Sequence, residues 1–333
     1  NGLVLYDASP TNGVISTSLV ATTAAAVEGA IAVRKDTTPG SMYDFLVNTM
    51  QIPVLIDLTG KFTGSGTIWD TGGIASTGSA KCDAYIWAKH RYIDSGLCNP
   101  TLLSYTLDLW ALKVNAGNSA WNQLSNLDSA ITKKGFCFEL SPWADETPND
   151  DPTQPLGTDL ATFKAIMDAC NQQTGYSEMI KFCGFTNWHM KYTVEAPNGG
   201  RHGAVETEWE TVKLTSAYNV YLEADAPGLN YVSNTSFYAA LMPAFMERRY
   251  VQNPAPTYDE MVAEGLINAN GSVPAGNYIL MGMGDYDQAS WTQYWLAGDR
   301  YDDPVRGTIP CTWAVDPNII DRACAAIDYM YRN

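Results

Sequence analysis

Carboxylates and tryptophans recur together just after the apolar runs in the second half of this 333-residue chain. After the run 135–140 come Trp143, Asp145 and Glu146, then an acidic tail through Asp151. After 179–185 come Trp188, His189 and Lys191. After 219–224 comes Asp225. After 277–283 come Asp285, Asp287 and Trp291, and after 308–315, which carries Trp313, comes Asp316. Cleaving a glycosidic bond needs this inventory: one carboxyl group as proton donor and a second as base or nucleophile. Flat aromatic faces with polar tips suit sugar rings. The competing reading is structural, with Asp capping the helix that follows and Trp packing a rim. One strand-end carboxylate alone fits that structural reading better, but its recurrence at five ends favours a site.

Other chemistries find little support. The acidic stretch Asp145–Asp151 lacks the Asp-x-Asp-x-Asp-Gly spacing of a calcium loop. No Gly-x-Ser-x-Gly elbow is present, and the three histidines, 90, 189 and 202, form no His-Glu-x-x-His pair. Gly64-Ser65-Gly66 runs on into Thr-Ile-Trp and not into a third glycine that opens a helix. Seven cysteines without a Cys-x-x-Cys pair argue against zinc, and Cys82 with Cys98 is the one local pairing that could make a disulfide. The reading therefore includes no metal and no cofactor.

The elements that must hold these residues fall into two sets. Runs 2–7, 30–34 and 52–58 read as strands, with helices over 16–28 and 41–48 between them, which predicts a small parallel α/β layer. A Gly/Ser/Thr-rich loop follows over 60–78, and then helices over 80–95 and 100–114. From 135 a strand–loop–helix rhythm restarts: helix 158–173, strand 179–185, helix 206–218, strand 219–224, helix 258–264, strand 277–283, helix 288–296, strand 308–315 and helix 318–331. That rhythm predicts a (β/α) barrel, with active-site residues at the carboxyl ends of its strands. The expected division is 1–125 for the N-terminal α/β domain and 126–333 for a TIM-like barrel. At most six strands follow residue 134 and the last helix has no stop signal, so the barrel is expected to be incomplete at the C-terminus.

Composition bounds the partners. Hydrophobic residues make up 46% and charged residues 17%, enough for a sizeable core. The net charge of −16 has the wrong sign for phosphate backbones and anionic membrane surfaces. No run of 18 apolar residues occurs, so no membrane-spanning helix is predicted.

Several segments resemble the GxGYxYP putative glycoside hydrolase family: FELSPWADETPNDDPTQPLGTDLATFKAI (138–166), GFTNWHMKYT (184–193), ETEWETVKLTSAYNVYLEADA (206–226), GDYDQASW (284–291) and RGTIPCTWAVDPNIIDR (306–322), with LVLYDASP (3–10) and DLTGKF (57–62) nearer the start. The chain stops before the motif that names the family. The resemblance implies an α/β N-terminal part, a C-terminal barrel, and a carbohydrate-active protein that is secreted, periplasmic or on the cell surface. Within the matching segments it points to Asp145, Glu146, Asp225, Asp285 and Asp287, and to Trp143, Trp188 and Trp291. The resulting expectation is a glycoside hydrolase in which Glu146 donates the proton. Asp287 is base or nucleophile, Asp285 holds its geometry, and Lys191 binds a substrate hydroxyl or lowers a carboxylate pKa. Trp143, Asp145, Trp188, Asp225 and Trp291 complete the substrate site. The rival is a non-catalytic carbohydrate-binding protein that shares the aromatics and lacks a facing carboxyl pair.

Overall fold

The computed structural model describes residues 1–7, 17–105, 127–148, 150–184, 200–223, 253–283, 301–313 and 320–332. The first sheet is parallel, in the order β2-β1-β3, from β1 (Leu3–Tyr6), β2 (Ile31–Arg34) and β3 (Val54–Asp57). Between β1 and β2 runs α1 (Ser18–Glu28), an Ala/Val/Thr helix stopped by Gly29 at φ 62°. That left-handed turn carries no Cβ penalty in glycine. The short α2 (Met42–Asp44) starts where the Ser41 hydroxyl accepts the Asp44 N–H, and continues as a π-turn through Thr49. Leu46 packs there on Leu3, Leu5 and Val33.

The second sheet is also parallel, in the order β5-β4-β6-β7. It comprises β4 (Leu102–Tyr105), β5 (Phe136–Phe138), β6 (Ile180–Gly184) and β7 (Val220–Glu223). The helices around it are α3 (Ala80–Ala88), α4 (Leu127–Thr132), α5 (Thr158–Thr174) and α6 (Ala204–Ser216). Later come α7 (Tyr258–Ala263), a separate parallel pair β8 (Gly282–Met283) and β9 (Thr312–Trp313), and α8 (Ile320–Arg332).

One expectation is corrected here. The sequence places residues 102–105 in a helix over 100–114, yet they form a strand. Every residue of β4 is buried, so the run shows no period that separates strand from helix. The expected barrel is not confirmed. In a barrel each strand neighbours the next in sequence, whereas here β4 lies between β5 and β6. That order belongs to an open, doubly wound sheet. No closed barrel is present among the described residues, and the sheet crosses the expected boundary at 125.

One buried cluster joins the two sheets. It runs from Val4, Ile56 and the inner face of α1 to Leu103, Phe138, Phe163 and Phe182. Phe138 sits at its centre, with ring centroids 4.9 Å from Phe163, 5.7 Å from Tyr105 and 5.8 Å from Phe182. Thr23 of α1 accepts the Cys137 N–H at 2.9 Å, linking the first helix to β5 across 114 residues. Cys82 and Cys98 are not bridged, and each thiol donates to its own partner: Asp159 for Cys82 and the Lys134 carbonyl for Cys98. Among the described residues no helix is long and apolar enough to cross a membrane.

Candidate active site

The carboxyl end of β5 leads into a loop that is fastened before it reaches the carboxylates. Glu139, Leu140 and Ser141 are fully buried. The Glu139 N–H donates to the Tyr85 hydroxyl at 3.2 Å, and the Ser141 N–H donates to Asp159 Oδ2 at 3.0 Å. Asp159 lies in the first turn of α5, whose cap is Gly157 and neither Thr158 nor Asp159. Its carboxylate is a buried hub. Oδ2 also accepts Lys81 Nζ at 2.9 Å, and Oδ1 accepts Gln154 Nε2 at 3.0 Å. Lys81 reaches Asp150 at 3.2 Å as well, and Ser79 at the α3 cap donates to Asp151 at 2.5 Å. Burial raises the Asp151 pKa, opposed by the Ser79 hydroxyl and by Lys81. The end of the acidic tail is thus pinned to the protein and not left in solvent. Asp150 and Asp151 fix it to α3.

On that base stand three of the sequence-expected residues. The Trp143 indole lies flat on the His202 ring, with centroids 3.5 Å apart and planes 9° apart. Its Nε1–H donates to the Thr207 hydroxyl at 3.0 Å. Asp145 Oδ1 meets His202 Nε2 at 2.8 Å, and Arg201 Nη1 donates to the Asp145 carbonyl at 2.8 Å and faces Oδ2 at 3.3 Å. The His202 hydrogen bond, helped by both positive neighbours, holds the Asp145 pKa below the usual carboxylate range.

Glu146 is held differently. It is 9% exposed, and Oε2 accepts the Arg201 main-chain N–H at 2.9 Å. Oε1 is buried and has no hydrogen-bond partner among the described residues. Burial raises the Glu146 pKa, and the charge of Asp145 raises it further. The Arg201 N–H and the charges of His202 and Arg201 act the other way. Two adjacent carboxylates therefore have pKa values pushed apart, the pattern that separates a proton donor from an ionised partner.

Arg201, His202 and Thr207 were missed as site residues. They lie more than 50 residues from Glu146, and no local pattern announces that the start of α6 returns to the β5 loop. There the Gly203 N–H donates to Glu206 at 3.1 Å, and Thr207 donates back to the Gly203 carbonyl at 2.9 Å. These bonds set where Arg201 and His202 point. Asp225, Asp285, Asp287, Trp188, Lys191 and Trp291 lie outside the described residues. Among the described residues, no group of His, Cys, Asp and Glu could hold a metal ion. A cleft of about 600 Å³ beside β2, lined by Tyr6, Val33, Met42, Tyr43 and Leu46, belongs to the first sheet and holds none of the expected site residues.

Residues 277–333 match the family model described as the GxGYxYP putative glycoside hydrolase C-terminal domain. This segment carries β8, β9, α8 and the stretch with Asp285, Asp287 and Trp291. No curated protein and no solved structure matches the chain.

Proposed function

We propose that this protein hydrolyses a glycosidic bond, with Glu146 as the proton donor. One observation carries the reading. Glu146 is a buried carboxyl with one oxygen held and the other without a partner among the described residues, an environment that shifts it toward the neutral form a proton donor needs. Asp145 beside it stays ionised under His202 and Arg201. The family match over 277–333 supports the reaction class. In the proposal Asp287 supplies the second carboxyl group, as base or nucleophile, with Asp285 orienting it. Trp188, Trp291, Lys191 and Asp225 line the substrate beside Trp143. A separation of about 5–10 Å between the two carboxyl groups would suit either stereochemical course. A secreted, periplasmic or surface location is part of the same proposal and rests on the resemblance alone.

The test is a panel of p-nitrophenyl glycosides and oligosaccharides assayed with the wild-type chain and with Glu146→Gln. A proton donor acts mainly in the transition state, so the variant should lose at least about 100-fold in kcat while glycan binding holds. Unchanged turnover in Glu146→Gln would remove Glu146 from the chemistry. Binding without turnover in the wild type would favour the carbohydrate-binding rival.

A further inference from the structure

We infer that Arg201 and His202 form a positioning pair: the Arg201 main-chain N–H decides which oxygen of Glu146 carries the proton, and the two side chains, by holding Asp145, set the charge that Glu146 faces. The inference rests on the reading of Glu146 as the donor and adds the residues that set it. A neutral carboxyl group has one hydroxyl oxygen and one carbonyl oxygen, and an N–H donor binds the carbonyl oxygen. The Arg201 N–H lies 2.9 Å from Oε2, so Oε2 is the carbonyl oxygen of neutral Glu146. The proton then belongs to Oε1, the buried oxygen that has no partner among the described residues. An acceptor oxygen on a bound ligand would complete it.

The same two residues hold Asp145 through their side chains. The Arg201 guanidinium binds the Asp145 carbonyl and carboxylate, and the His202 imidazole binds Oδ1. His202 cannot turn away freely, because its ring is stacked on Trp143, which Thr207 fixes in turn. Among the described residues, the titratable groups that act on Glu146 are Asp145, Arg201 and His202. Two of the three sit next to each other at the start of α6, so one short segment governs both carboxylates.

The measurement is carbon-13 NMR titration of the Glu146 carboxyl in the full chain, assigned by its loss in Glu146→Gln. It is paired with the infrared C=O stretch of the protonated group. Arg201→Gln keeps the main-chain N–H and removes the charge. Arg201→Pro removes the N–H, and His202→Phe keeps a ring on Trp143 without its hydrogen bond. The expected result is an upward shift of the Glu146 midpoint in Arg201→Gln and His202→Phe, and a larger one in Arg201→Pro. The C=O stretch should rise only in Arg201→Pro. If Arg201→Pro does not fold, the other two variants decide. An unshifted midpoint in Arg201→Gln and His202→Phe, or an unmoved C=O stretch in a folded Arg201→Pro, overturns the inference. The titration needs no substrate. Loss of the donor role in the glycoside assay would therefore leave this result standing, and the reverse also holds.

Discussion

Glu146 works against the stability of the fold once it is ionised. Its folded pKa is raised, so the native state holds the proton more tightly than the unfolded chain does. The stability linked to that proton is fully present below the unfolded value and is lost as the pH rises through the folded value. Glu146→Gln has no such loss. Urea unfolding of both proteins from pH 4 to pH 8 should therefore show the variant gaining on the wild type as pH rises, then levelling off. A difference that does not change with pH would mean that Glu146 is not desolvated. Lys81 presents the opposite case, a buried cation between Asp159 and Asp150. Lys81→Ala removes the cation between two buried carboxylates and should cost about 3–5 kcal/mol. Lys81→Met should cost as much, because the volume is kept but the charge is still missing. A loss below about 1 kcal/mol in either variant would show that the network is wetter than its burial indicates.

At the scale of elements, the second sheet depends on rings stacked through its strands. Phe138→Ala removes the contacts to Tyr105, Phe163 and Phe182 together, and a loss of about 3–5 kcal/mol is expected in chemical denaturation. Because β5 runs straight into the Glu139–Glu146 loop, the same variant should also loosen the Trp143–His202 stack, which near-UV circular dichroism would read. What the sequence made legible follows from the same physics. Helices α1 and α5 declare themselves by composition and by the glycines that stop them, Gly29 and Gly175. Strands β1, β2 and β3 fall inside the runs expected for them. The strand β4 was hidden because an all-buried run has no alternating face. The barrel is not confirmed: a strand–helix rhythm is common to barrels and open sheets, and only the neighbour order separates them. In the site, Trp143, Asp145 and Glu146 stood out by residue type. Arg201 and His202 did not, since their role is created by the fold bringing α6 back to the β5 loop.

Across the molecule, the described part of the chain up to residue 223 shares one core between its two sheets. Cutting between 125 and 126 would take β4 from the strands on either side of it. The two halves are expected not to fold alone, and hydrogen exchange in β1 and β6 should respond together to Val4→Ala. Independent protection of the two sheets would divide the core. The bond between Thr23 and Cys137 gives this unity a timetable. A ribosome adds roughly 5–20 residues per second, so α1 emerges on the order of ten seconds before the strand that covers it. During that interval the inner face of α1 has no β5 to rest on. The nascent segment that carries α1 is then a natural client for whatever chaperone waits at the exit tunnel.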